Sequence, residues 1–308
     1  MKVSFGGQEI NLPDILILGA AKSGTTSLAF YLKQHPNVLM PRKEPGFFAY
    51  HDRPKVEIPS GIRDRQIVDL DFYTRMYEKI KPGQKICDAS VAHLTNAENT
   101  IKNARKYYGN RIQEVKAILV LRNPIDRAFS HYLMFVKNGL EALPFEEAIK
   151  PENVNARKGI QLGYDYLGGS LYAKRVKAFQ NAFPNLKIYF TEDLKQREEN
   201  LKDLLSFCDL SQDVMIDTSA QLNPSGIPKR KGLIKLLHKR TEIKEVLKII
   251  LPDKLQFRLA AIKSQVMRKS IETVTIDPGL KRDLVQSHFR EDILELEKLT
   301  GRDLATWR

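Results

Sequence analysis

Cysteine is almost missing from this chain: Cys87 and Cys208 are the only two in 308 residues. Both sit in apolar surroundings as plain thiols, which excludes a disulfide framework and gives no sign of an oxidising compartment. Long hydrophobic runs are missing too. No stretch approaches the roughly 18 apolar residues that cross a bilayer. Residues 1–14 have no apolar segment of the kind an export signal carries, so the expectation is a soluble, cytoplasmic protein. Internal repeats and low-complexity tracts are also absent, which leaves an ordinary globular domain.

Positive charge is what the chain has in excess. Fifty Lys and Arg against 37 Asp and Glu give a net charge of +13, beside an unremarkable 42% hydrophobic content. A balance of that size points to a polyanionic partner: nucleotide phosphates, a sulfated or carboxylated acceptor, nucleic acid or an anionic membrane. The length suffices for one large α/β domain with a substantial core, and a single domain over 1–308 is expected.

Strand-like runs fall at Ile15–Leu18, Lys85–Cys87, Val115–Leu121 and Leu186–Phe190, with a weaker candidate at Val38–Met40. Helical patterns fall at Thr25–Gln34, Ile125–Val136, Leu171–Phe183, Leu194–Cys208 and Lys281–Leu299. Such alternation predicts an α/β fold: a P-loop-like central parallel sheet with helices on both faces. Ligands in these sheets bind beyond the C-terminal strand ends. Residues 42–74, polar and proline-bearing, read as a long surface loop. His35, in a Gln-His-Pro step at a helix end, is expected to cap that helix. Residues 235–269 hold ten Lys or Arg against three acidic residues, with apolar residues interleaved. Such a segment is a solvated helix face, or a platform for an anionic acceptor, membrane surface or partner.

Three segments carry chemistry. In Ile15-Leu-Ile-Leu-Gly19-Ala-Ala-Lys22-Ser23-Gly24-Thr25-Thr26-Ser27-Leu28 a strand passes through a small-residue loop into a helix, the form of a phosphate cradle. Gly19 and Gly24 keep the spacing of a nucleotide P-loop, but Thr25 stands where its lysine belongs, and Lys22 lies inside the loop instead. In Arg122-Asn-Pro124-Ile-Asp-Arg127-Ala-Phe-Ser130 a strand delivers Arg122 to the sheet edge, and Arg127 and Ser130 follow on one helix face. Asn223-Pro-Ser-Gly-Ile-Pro-Lys229-Arg230-Lys231-Gly232 is a basic loop suited to closing over phosphate.

Together these segments resemble the sulfotransferases that use 3′-phosphoadenosine-5′-phosphosulfate (PAPS) and release adenosine 3′,5′-bisphosphate (PAP). Lys22-Ser-Gly-Thr-Thr is similar to that family's 5′-phosphosulfate loop, Arg122 through Ser130 to its 3′-phosphate motif, and Arg230-Lys-Gly to its closing loop. Ile188-Tyr-Phe-Thr-Glu-Asp-Leu194 and Leu299-Thr-Gly-Arg-Asp-Leu-Ala-Thr-Trp307 look like further elements of bacterial members. The resemblance implies a metal-free reaction, which accounts for the missing P-loop lysine. It places Lys22 on the bridging oxygen of the leaving group and Thr25 and Thr26 on the 5′-phosphate. Ser23, Gly24 and Ser27 complete that donor loop, with Arg122, Arg127, Ser130 and Lys229–Gly232 on the remaining nucleotide.

The acceptor side is implied by Lys43-Glu44-Pro-Gly-Phe47-Phe48, which resembles the heparan-type branch, where a glutamate three residues before a Phe-Phe pair is the catalytic base. That points to Glu44 and favours a carbohydrate acceptor, with a lipid or small natural product as the alternative. The cytosolic small-molecule branch uses a histidine in Lys-x-His-Leu-Pro, a segment this chain lacks; His51 and His93 are the nearest substitutes. Asp88 stands where many relatives carry Lys or Glu. Two other classes stay open: a P-loop kinase or NTPase, which needs Lys-Ser/Thr after Gly24, and a non-catalytic polyanion binder. No nucleic-acid motif is present, and no nucleic-acid partner is expected.

Overall fold

The computed structural model describes residues 1–160, 163–195, 197–218, 226–228, 271–272 and 274–308. Five strands form a parallel sheet: β3 (Ile15–Gly19), β4 (Val38–Leu39), β5 (Lys85–Ala89), β6 (Lys116–Leu121) and β7 (Leu186–Phe190), in the order β4-β5-β3-β6-β7. Ile15 pairs with Cys87 on one side and with Lys116 on the other. A separate hairpin, β1 (Lys2–Phe5) with β2 (Gln8–Asn11), precedes the sheet.

Side chains alternate faces along each strand. Leu16, Leu18, Ala117, Leu119 and Leu121 join one core cluster, while Ile15, Ile17, Ile118 and Val120 join the other. All are fully buried, so each larger one contributes about 1.5–3 kcal/mol of transfer free energy. Helix α1 (Thr25–Lys33) and the helix Arg197–Phe207 cover the second face, with Cys87 and Cys208 sealed beneath them as free thiols. The opposite face carries α2 (Phe47–Tyr50), α3 (Leu70–Arg75), α4 (Ala92–Thr95), α5 (Ala97–Tyr108) and α6 (Pro124–Lys137), with the helices Ala173–Ala182 and Arg290–Thr300 beyond them. The predicted layered α/β architecture is therefore the observed one.

Two expectations change. Residues 42–74 are not simply a surface loop, because Phe47, Phe48, Ala49 and Tyr50 form a buried helical turn and Ile58 and Ile67 are buried as well. Phe47 stacks on Tyr73 with ring centroids 4.3 Å apart, so aromatic packing overrides the polar, proline-rich composition around it. His35 caps α1 only through its backbone, with its N–H on the Leu32 carbonyl at 3.0 Å, while its Nδ1 accepts from the Asn37 N–H at 3.1 Å and its Nε2 donates to the Ser211 carbonyl at 3.1 Å, tying the helix exit to a distant loop.

The two further segments singled out by resemblance meet in space. Trp307 packs on Phe190 at 5.6 Å between ring centroids, its indole N–H points to Glu192, and Arg302 pairs with Asp193. They support the end of β7, where Thr191 donates from its hydroxyl to the Ser23 and Leu121 carbonyls. The two-residue strands Ile227–Pro228 and Ile271–Glu272 pair antiparallel. Lys229, Arg230, Lys231, Gly232 and the basic stretch 235–269 lie outside the described residues.

Candidate functional site

The chain leaves β3 toward β5 and later returns on the other side to β6, so the sheet has its switch point at β3, and the loop after β3 opens there. Gly19 is obligatory in this turn: its φ is +151°, and an added Cβ would come within 2.7 Å of Leu94. Lys22 follows at φ +71° and Gly24 at φ +98°, two consecutive returns to the left-handed region that swing the chain into α1. Gly24 offers no side-chain cap, and the first turn of α1 holds no acidic residue. The first-turn N–H groups of Thr25 and Thr26 have no intrahelical acceptor, so the helix presents an uncapped positive end. Ser27 closes the turn with its N–H on the Gly24 carbonyl at 3.0 Å, and Ser23 is fully buried beneath the loop.

Arg122 leaves the end of β6 and donates to the Lys22 carbonyl at 3.2 Å, which holds the left-handed lysine in place. Asn123 caps α6 by accepting from the N–H groups of Ile125 and Asp126, with Pro124 in the first turn as expected. Arg127 and Ser130 lie on one buried face of α6. The Arg127 guanidinium, however, already holds the Gly169 carbonyl and donates to His131 Nδ1 at 2.6 Å. Burial, then the positive charges of Lys137, Arg122, Arg127 and Lys43, push the Lys22 ammonium down to about 8. Among the described residues neither Lys22 nor Arg122 forms an ion pair. Lys22 and Arg122, crowded together beside an uncapped helix end without an ion pair among the described residues, fit a compact polyanion such as a phosphosulfate with a further phosphate.

Glu44 stands across from this loop. Its own φ is +61°, its N–H donates to the Ala89 carbonyl at 2.9 Å, and its Oε2 accepts from the Val91 N–H at 2.9 Å. Lys43 joins the two halves: its ammonium reaches Thr26 Oγ1 at 3.0 Å and Glu44 Oε1 at 2.9 Å. Beneath Glu44 runs a buried chain. The Gly46 N–H donates to Ser90 Oγ at 3.0 Å, Ser90 donates to Asp88 Oδ1 at 2.6 Å, and the Tyr73 hydroxyl donates to Asp88 Oδ2 at 2.6 Å. Burial raises the Asp88 carboxyl above its usual value, against the opposing pull of His93, Ser90 and Tyr73.

The two histidines part company. His93 is fully buried beside Asp88 and Glu44, with neither ring nitrogen hydrogen-bonded; burial lowers it despite those two negative charges. His51 is engaged elsewhere, donating from Nδ1 to the Val68 carbonyl at 2.7 Å and pairing through Nε2 with Tyr107 and Asp52. Residue patterns alone do not show that Lys43 reaches Thr26 as well as its neighbour Glu44, nor the Gly46–Ser90–Asp88 chain or the bonds of Thr191. Lys43 carried a readable signal, adjacency to Glu44; the others become visible only when distant segments meet.

A profile of the sulfotransferase family matches residues 13–213. Heparan sulfate glucosamine 3-O-sulfotransferase 3B1 of Mus musculus is 25% identical over 181 residues, which is 58% of this chain and 40% of that protein. The membrane-associated sulfotransferase kil1 of Dictyostelium discoideum is 27% identical over 128 residues, 41% of this chain and 24% of that one. The crystal structure of a sulfotransferase from Alicyclobacillus acidocaldarius matches with a TM-score of 0.71 and 26% identity, covering 97% of this chain and 100% of that chain. The matches span less than half the length of these curated relatives.

Proposed function

The chain belongs to the sulfotransferase family, and from that premise we propose that it moves a sulfuryl group from PAPS to a hydroxyl or amine of a carbohydrate acceptor, with Glu44 as general base. One observation carries the reading: Lys43 ties Thr26, at the end of an uncompensated cation cradle, to Glu44, a carboxylate with a fixed pose. PAPS supplies the activated sulfuryl group. The first-turn N–H groups of α1, with Thr25 and Thr26, would hold its 5′-phosphate, and Arg122 and Ser130 its 3′-phosphate. Lys22 would neutralise charge appearing on the leaving oxygen, as cationic donors do in group transfers of this kind.

As the acceptor attacks, its oxygen or nitrogen bonds to sulfur, the bond from sulfur to the 5′-phosphate oxygen breaks, and the acceptor proton passes to Glu44. A general base contributes about 10²–10⁴-fold. The carbohydrate acceptor rests on the names of the relatives and on the Glu44–Phe47–Phe48 spacing. Calorimetry with PAP tests the donor: the wild type binds and Arg122→Ala loses most of that affinity. Glu44→Gln should abolish sulfate transfer while PAP still binds; wild-type turnover in that variant removes Glu44 from the role.

A further inference from the structure

Glu44 makes one bond that its pose does not need. The pose is fixed by its N–H on the Ala89 carbonyl at 2.9 Å and by Oε2, which accepts from the Val91 N–H at 2.9 Å. Neither bond involves Oε1, which instead accepts from the Lys43 ammonium at 2.9 Å. The same ammonium reaches Thr26 Oγ1 at 3.0 Å, so two of its three N–H groups join the donor loop to the base. Its charge is also felt at Lys22, inside the cradle. The Lys43 and Glu44 side chains are 32% and 37% exposed, which leaves the lysine stem free to turn and both groups open to small reagents.

Oε1 is thus the oxygen on which an acceptor proton can land without undoing the Glu44 turn. With no donor bound, an ammonium covers it, and an acceptor hydroxyl or amine must compete for the same lone pairs. A phosphate dianion arriving beside Thr26 shifts that balance, because it outweighs a single carboxylate for a compact charge on a flexible stem. Resting on the sulfotransferase reading above, we propose that Lys43 is a positioning residue that gates the base. It covers Glu44 Oε1 until the donor binds, then turns to the phosphate oxygens beside Thr26 and leaves that oxygen to take the acceptor proton. Only hydrogen bonds change in the turn. Donor therefore precedes acceptor, and by linkage whatever frees Lys43 from Glu44 also strengthens donor binding.

A double-mutant cycle on PAP affinity, read by calorimetry, tests the gate. Two fixed charges would act on the bound phosphate independently. Lys43→Met would then weaken PAP, Glu44→Gln would tighten it, and the double variant would show the product of the two changes. A lysine that Glu44 holds back gives more. Glu44→Gln should tighten PAP by about 2–5-fold beyond what the same substitution does in the Lys43→Met background, the range of an exposed ion pair. Single changes that multiply to the double variant overturn the proposal.

Carbodiimide coupling reads the contact in the wild type, with no variant to fold. In the presence of glycine ethyl ester, activated Glu44 is captured either by Lys43, as an internal amide formed with loss of one water, or by the added amine. Peptide mass spectrometry gives the ratio of the two products, which compares the fates of activated Glu44 however much PAP slows its activation. Saturating PAP should lower the share of internal amide several-fold. An unchanged ratio, or no internal amide in the free protein, overturns the proposal. Wild-type protein that binds no PAP removes the donor reading itself, whereas PAP binding with a multiplicative cycle removes only the gate.

Discussion

The two halves of the site are held by opposite means. On the Lys22 side the backbone turns left-handed, cations crowd one another and a helix end goes uncapped; each feature is unfavourable until an anion arrives. On the Glu44 side a left-handed residue is held by bonds to Ala89, Val91 and Lys43, above a relay that ends on buried Asp88. Groups meant to meet a ligand are left wanting one, and a group meant to keep its pose is over-determined. Strain and unsatisfied charge on one side therefore mark binding, while satisfaction on the other marks positioning.

Lys22→Ala should break the first half most severely. Losing charge stabilisation at the leaving group lowers kcat by about 10²–10³-fold. Stability should not follow. The Lys22 ammonium titrates at about 8, below the 10.5 of an ordinary lysine, so its charge costs stability below pH 8, and that cost fades as pH climbs from 8 toward 10.5. The variant should melt no lower than the wild type at pH 7; a melting temperature several degrees down would show that Lys22 supports the fold and erase the contrast.

Ser90→Ala should do the reverse. It strands Asp88 Oδ1 and the Gly46 N–H, costing about 1–3 kcal/mol of stability measured by denaturant unfolding. It also loosens the Glu44 turn and lowers kcat about ten-fold, with PAP affinity unchanged. Loss of PAP binding in this variant would mean that the relay serves both halves alike.

The contrast also explains what could be read from residue order. The first half is contiguous, with Gly19, Lys22, Gly24 and the two threonines inside one strand–loop–helix, so local spacing reveals it. The parallel strands are legible for the same reason, because both faces are buried and each run is apolar throughout. The second half assembles residues 43–46, 73 and 88–93, and no local pattern announces that Ser90 will meet Gly46. Helix α5 escaped notice because polar Thr100 and Asn103 stand on its buried face, although Ala97, Ile101, Ala104 and Tyr108 keep helical spacing. Arg127 shows the limit from the other direction. Its sequence places it with the nucleotide motif and its charge is felt at Lys22, while its hydrogen bonds go to Gly169 and His131, which no local pattern announces.

The smallest effect separates the halves by pH. Bound PAP carries a 3′-phosphate that is fully ionised above a pKa of about 6, so the ligand itself does not titrate at higher pH. Its charges favour protonated Lys22, which in the free protein titrates at about 8. Below pH 8 the lysine is already charged, and affinity changes little. Above it binding must take up a proton, and affinity falls toward a limit of about ten-fold per pH unit. Calorimetry at pH 8.5 in buffers of different ionisation enthalpy should reveal that uptake as a buffer-dependent heat. Lys22→Met should remove the dependence and Glu44→Gln should leave it intact, because the crowding arises among cations of the loop side. A pH dependence that survives in Lys22→Met assigns the proton to another group and removes the crowded lysine as the feature that distinguishes the binding half from the positioning half.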